Sequence, residues 1–174
     1  YLGEEKVLRF PERADVPHLK DKPDPVTIAC RLEAAHALDA EQQVVVVASA
    51  RSLIRKIVPS DSGLAKPFVL KVGSELEETG ISGVQDLTSF KAALERIGYQ
   101  NTGQLDGPGT FASHGGSIVI YPGNMSFPIR LDFFGDELEE IRRIVPSTGQ
   151  MISSMSAACI FPVSEYFIDD ASLA

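Results

Sequence analysis

The sequence is poor in the residues and runs that most often reveal a function. It holds two cysteines, Cys30 and Cys159, and three scattered histidines, His18, His36 and His114, among 174 residues. No zinc site can be written from that set, because tetrahedral sites need four such ligands in close spacing. No metal is expected, and the two thiols, on apolar segments, are expected to be buried and unpaired. Apolar runs are short as well. Val44–Ala48 is as long as any, far below the roughly 18 residues that mark a membrane span. The chain opens at Tyr1 with no basic-then-apolar signal segment. It is expected to be a piece of a longer cytoplasmic protein with no membrane partner.

Positive charge is scarce in one half. Residues 1–66 carry ten acidic and ten basic side chains, whereas residues 67–174 carry fourteen acidic and only six basic, and so the whole net charge of −8. Binding to nucleic acid requires Lys and Arg to displace counterions from phosphates. Direct binding of duplex DNA by the second half is therefore not expected, and an acidic surface points instead to a protein partner.

Two nucleotide and hydrolase signatures are missing. A P-loop needs Gly, four residues, then Gly-Lys-Ser/Thr, because the lysine and hydroxyl hold phosphate and magnesium. An esterase that used His114-Gly115-Gly116 as an oxyanion loop would also need a Gly-x-Ser-x-Gly elbow. Neither spacing occurs. No catalytic residue and no cofactor is assigned to this chain.

What is present reads as two units. Residues 7–10 predict a strand ending at Pro11. Asp24-Pro25 predicts a helix start, an N-cap followed by proline where its missing N–H costs nothing. Ile28, Leu32 and Ala35 share one face of that helix, which ends near Leu38. Val44–Ala48 predicts a strand buried on both faces, as in a parallel sheet covered by helices, and a second helix over 50–57 stops before Pro59. Residues 59–67 are a turn-rich linker. Beyond it come a strand over 68–72 and an amphipathic helix over 87–97 with Leu87, Phe90, Leu94 and Ile97 on one side. Gly98 then supplies a left-handed cap. From Tyr99 onward antiparallel strands are expected, with Ile129, Leu131 and Phe133 alternating against Arg130 and Asp132 before a hairpin at Gly135-Asp136. The expected class is α/β followed by α+β. An incomplete parallel α/β unit precedes a small domain with a curved antiparallel sheet and a packed helix.

Within that sheet, Gly115 and Gly116 interrupt a strand pattern, and glycine there usually marks a bulge or sharp bend. The two are expected to bend the sheet and push His114 outward.

The stretch from Gly109 to Pro122, GTFASHGGSIVIYP, followed by PIRLDFFGDELEEIRR from Pro128 to Arg143, resembles the UvrB-homology module. That module runs G-x-F-x-x-R-G-G-I-x-D-I-F-P, then P-x-R-I-E-F-F-G-D-E-I-E-S-I-R at the same separation. It occurs in transcription-repair coupling factors of the Mfd type and in the excision-repair protein UvrB. Residues 7–11, 44–49 and 160–166 fit the same pattern, and the helix before Gly98-Tyr99 is closer to the coupling factors. The resemblance implies that residues 1–66 are the back end of a split first domain, 67–146 an inserted domain that docks the excision-repair protein UvrA, and 147–174 the start of the return segment. An ATP-dependent DNA translocase and an RNA polymerase contact would lie elsewhere in the parent protein. DNA and RNA polymerase would then be partners only through the full-length protein, whose other domains are also expected to touch this one.

The resemblance assigns Gln100, His114 and Ile118 to the UvrA contact, with Gly115 and Gly116 as the bend that presents them. The chain departs from the family there. Arginine is usual at the positions of His114 and Gln100, and aspartate at Val119. A guanidinium grips a carboxylate with two charge-assisted bonds; glutamine and neutral histidine do not. Three readings follow: a non-catalytic docking module, a degenerate UvrB-type nucleotide-binding domain, or a structural element that holds its parent in an autoinhibited shape.

Overall fold

The computed structural model describes residues 7–13, 24–54, 66–79 and 81–164. Strand β1 (Val7–Phe10) and strand β2 (Val45–Ala48) pair in parallel, Val7 opposite Val45 and Phe10 opposite Ala48, with helix α1 (Pro25–Asp39) as the crossover. Asp24 caps α1 by accepting from the Val26 and Thr27 amides, and Pro25 opens its first turn. Those bonds satisfy donors that the first helical turn leaves orphaned. The helix buries Ile28, Ala29, Leu32, Ala34 and Ala37, a face rotated slightly from the expected one, so Ala35 is only half-buried. Arg31 is also buried. Its guanidinium lies 4.2 Å from the centre of the Phe10 ring and donates to the Pro11 carbonyl at 3.0 Å and the Ser52 carbonyl at 3.3 Å. It joins α1 to β1 and to helix α2 (Ala50–Leu53).

The valine-rich strand β2 departs from expectation. Val45 and Val47 are exposed, 40% and 58%, because the parallel sheet has only two strands among the described residues and nothing described there covers its second face. The α2 helix closes at Leu53, with Ser49 as its N-cap. Residues 55–57 and most of the expected linker lie outside the described residues.

The second unit is built on a six-stranded sheet. Strand β3 (Phe68–Lys71) pairs antiparallel with β10 (Ala157–Ile160) as a separate two-stranded piece. The main sheet runs β4 (Gln100–Asn101), β5 (Thr110–His114), β6 (Ser117–Tyr121), β7 (Ile129–Phe134), β8 (Glu137–Ile144) and β9 (Met151–Met155), each hydrogen-bonded to the next. All pairs are antiparallel except β4 with β5. That exception corrects the expectation of antiparallel strands from Tyr99. The 102–109 loop carries the chain back, so that β5 enters in the same direction as β4, and the Gln100 amide bonds the Gly109 carbonyl at 3.0 Å.

Helix α3 (Leu87–Arg96) packs on one face of this sheet. A capping box between Asp86 and Ser89 starts it, and Gly98, at φ +102°, follows its C-cap Ile97. Phe90, Leu94 and Ile97 are buried, as the period of the sequence requires, and Leu87 is half-buried. They meet Phe111, Ile118, Ile120, Ile129, Leu131, Phe133 and Ile141 from the strands in one core that also takes in Ile28, Ala29 and Leu32 of α1. Burying each large apolar side chain of this kind contributes about 1.5–3 kcal/mol. Two close approaches join α1 to the sheet unit. Gly123 lies against α1 so tightly that a Cβ there would meet the Pro25 carbonyl oxygen at 2.5 Å. At Gly109 a Cβ would meet the Pro25 side chain at 2.8 Å. Apart from α1, the buried Tyr99 hydroxyl donates to the Phe161 carbonyl at 2.9 Å.

Gly115 and Gly116 do not bend a continuous strand. They form a two-residue hairpin turn, with His114 paired to Ser117 across it and Gly115 at φ +56°. A two-residue turn of this hand needs positive φ, which glycine adopts without steric cost.

Candidate functional site

Alternation sorts the sheet into two faces. In β5, β6 and β7, Phe111, Ile118, Ile120, Ile129, Leu131 and Phe133 point to α3 and are buried. The residues between them face away from α3. The register stacks Ala112 beside Val119 and Arg130, and His114 beside Ser117 and Asp132, with Arg142 and Glu140 next on β8. This outer face carries the polar chemistry of the unit.

Asp132 is its centre. Arg130 donates through Nε to both carboxylate oxygens, at 2.9 and 3.1 Å, and through Nη2 to the Ser117 hydroxyl at 3.0 Å. The Ser117 hydroxyl and Arg142 Nη2 also donate to the Asp132 carboxylate, and Arg142 Nε lies 3.3 Å from Glu140. Burial alone would push the Asp132 carboxyl upward. The hydrogen bonds from Ser117, Arg142 and Arg130 outweigh it and hold the group below the usual aspartate range. The same contact with Asp132 raises Arg142. Exposed ion pairs contribute little to folding, about 0–1 kcal/mol each. Here the Arg130 side chain is 44% exposed and Arg142 30%, so the effect of the arrangement is to hold two guanidinium groups in fixed directions on an open surface. Fixed, half-exposed guanidiniums can bind carboxylates with little further ordering.

The positions singled out from the sequence separate. His114 is exposed at the end of β5, on the outer face beside Ser117. Gln100 is exposed on β4 and pairs with Thr110, at the opposite end of β5. Both share the outer face, but their levels are four residue steps apart along β5, about 13 Å. Gln100 instead borders a cleft of about 510 Å³, which Pro25, Ile28, Tyr99, Gly109 and Val163 also line. Ile118 faces the core and is 1% exposed. It cannot touch a partner, because an inward position of β6 lies between two strands and under α3. Gly115 and Gly116 present His114 as a hairpin turn rather than a bend. Arg130, Asp132, Arg142 and Ser117 were not singled out, although the alternation of β7 already placed Arg130 and Asp132 together on the face away from the core.

Among the described residues no group of three or more His, Cys, Asp or Glu side chains is placed to hold a metal ion, and no helix is long and apolar enough to cross a membrane. Cys30 is buried and Cys159 half-buried, both free thiols. Burial pushes both upward, Cys159 to about 11, which suits inert thiols.

This sheet, with α3 against one face and the motif spacing along β5–β8, is the part of the chain that a known family model matches. Residues 81–166 match the family model of the UvrB interaction domain. It is similar to the transcription-repair-coupling factor of Myxococcus xanthus, at 28% identity over 166 residues, 95% of this chain and 13% of that protein. It is likewise similar to that of Escherichia coli, at 22% identity over 98% of this chain and 14% of that protein. UvrABC system protein B of Thermosipho africanus is 29% identical over 82% of this chain and 20% of that protein. The chain thus spans between 13% and 20% of the length of these curated relatives.

Proposed function

We propose that this chain is a non-catalytic docking module for a UvrA-type protein, part of a transcription-repair coupling factor acting in nucleotide excision repair. Residues 1–66 would close a split first domain, 67–146 would be the inserted docking domain, and 147–174 would begin the return. Translocation on DNA and contact with RNA polymerase would belong to other parts of the parent protein. The observation that carries the reading is the outer face of the sheet, where Arg130 and Arg142 converge on Asp132 beside the exposed His114.

A docking face of this kind selects acidic side chains on its partner. An incoming carboxylate competes with Asp132 for guanidinium N–H groups that are already aligned. The absence of a Gly-Lys-Ser/Thr phosphate loop from the sequence supports a role without nucleotide chemistry.

Calorimetric titration of the chain with UvrA from the same organism tests this. Saturable binding that weakens in Arg130→Ala and Arg142→Ala is the expected result. No binding by the wild-type chain, or micromolar ATP binding that a single substitution in this chain abolishes, would overturn it.

A further inference from the structure

Phe134 ends β7 on the outer face, in step with Arg130 and Asp132. At 75% exposure it is the most exposed aromatic side chain among the described residues. Folding does not account for it. The residue before it, Phe133, supplies the core contact, 9% exposed and with its ring centre 6.2 Å from that of Phe90. Phe134 has only the exposed Glu137 as its register partner on β8. On the other side the neighbouring chain is the glycine turn. The Phe133 amide bonds the Gly116 carbonyl at 2.8 Å, and a Cβ on Gly116 would come within 2.8 Å of the Phe133 carbonyl oxygen. The turn therefore packs its backbone against the end of β7 and offers no side chain to cover the ring.

The ring's surroundings carry one sign of charge. Asp136 and Glu137 follow it in the hairpin. The Leu76 amide bonds the Asp136 carbonyl at 3.0 Å, and Glu75 bridges Glu137, which brings the Glu75–Glu78 segment to the same end of the sheet. Buried aromatic anchors dominate binding energy at protein interfaces when they enter a pocket that excludes water. An exposed ring edged by carboxylates complements an apolar pocket with a basic rim.

We propose that Phe134 is the aromatic anchor of the docking face, entering an apolar pocket rimmed by lysine or arginine on the protein that this face engages. The proposal rests on the docking reading above. It assigns the centre of the contact to the Phe134 end of the sheet, beside His114, rather than to the Gln100 end.

The test is titration of UvrA from the same organism with the whole chain, as wild type, Phe134→Ala, Phe134→Leu, Phe134→Lys and Arg130→Ala. Phe134→Ala is expected to weaken binding about tenfold or more, Phe134→Leu to stay within about threefold because an apolar side chain still fills the pocket, and Phe134→Lys to abolish binding against the basic rim. Thermal midpoints should stay at the wild-type value in all three, since the ring lies outside the core. Wild-type affinity in both Phe134→Ala and Phe134→Lys, with loss in Arg130→Ala, would overturn the anchor and leave the docking reading standing. Failure of the wild-type chain to bind at all would overturn both.

Discussion

Arg142 on β8 and Arg130 on β7 donate to the same carboxylate, Asp132, and the Ser117 hydroxyl of β6 donates to it as well. Three neighbouring strands are thereby cross-linked on the face away from the core. Hydrogen bonds to charged groups contribute about 1.5–3 kcal/mol where they are well buried, and the partial exposure here brings the expectation for Asp132→Asn down to about 1 kcal/mol of lost stability at pH 7. Because the folded state holds Asp132 below its usual range, this contribution is present above the unfolded-state value of about 3.9. It is lost as pH falls through the lower folded value. Urea titrations between pH 3 and pH 7 should show the gap between wild type and Asp132→Asn closing at the acid end; a gap of constant size would refute the assignment.

Glu33 behaves in the opposite sense. It sits on α1 facing the 122–126 loop, where Asn124 Nδ2 donates to it at 3.3 Å and to the Cys159 carbonyl at 3.5 Å. Burial raises its carboxyl, with the Asn124 bond and the charge of Arg9 only partly opposing. An acid raised in the folded state stabilises fully below its unfolded value of about 4.3 and loses that contribution as pH rises through the folded value. Glu33→Gln keeps an acceptor for Asn124 and removes the buried charge. It should equal or exceed wild-type stability at pH 7 and fall behind as pH approaches 4. A variant less stable than wild type at pH 7 would count against this account.

The contact between α1 and the sheet unit depends on one missing methyl group. At Gly123 a Cβ would stand 2.5 Å from the Pro25 carbonyl oxygen and 2.8 Å from the Ala29 Cβ, both on the helix and neither at the end of a flexible side chain. Gly123→Ala is expected to cost about 1–3 kcal/mol, the range for overpacking. Gly149→Ala is the control: its φ is +69° but nothing lies within 4 Å of the added atom, so only the backbone preference of about 1 kcal/mol is lost. Denaturation midpoints of the two variants decide it, and equal losses would show that the helix yields.

The inner face of the sheet was legible because its signal is local. Period-two alternation in β7 and the Gly135-Asp136 turn specify a hairpin whatever lies elsewhere, and the period of α3 marks Phe90, Leu94 and Ile97. Three features depended on what was not local. The valine run of β2 reads as doubly buried, but burial depends on which elements cover a strand, and in the described residues only one face of a two-stranded sheet is served. The direction of β4 depends on the path of the 102–109 loop, which no pattern in two residues encodes. The inward side chain of Ile118 follows from the register of β6, and moving Gly115-Gly116 from a bend to a turn resets which residues of β6 face the core. The outer-face network was half legible. Arg130 and Asp132 share a face by alternation, whereas Ser117 and Arg142 join them only once three strands are in register.

Restoring arginine at the two departures from the family tests how far the docking face extends. His114 and Gln100 share the outer face but stand at opposite ends of β5, about 13 Å apart along the strand. Substitutions farther apart than about 7–10 Å with no shared partner generally add. His114→Arg puts a guanidinium beside Ser117, Asp132 and the exposed Phe134, within one contact patch. Gln100→Arg puts one at the rim of the cleft next to Pro25 and Gly109. If the partner's carboxylates lie along the whole face, each substitution should tighten UvrA binding by about tenfold, the value of one charge-assisted bond, and the double variant should reach the product of the two. If contact is confined to the Phe134 end, where the partner's rim is basic, Gln100→Arg is neutral and His114→Arg weakens binding. Titration of the wild type, both single variants and the double variant at two salt concentrations separates these outcomes, because a genuine guanidinium–carboxylate contact weakens as salt rises. Flat affinity in all three variants would show that the partner engages a different surface of this chain.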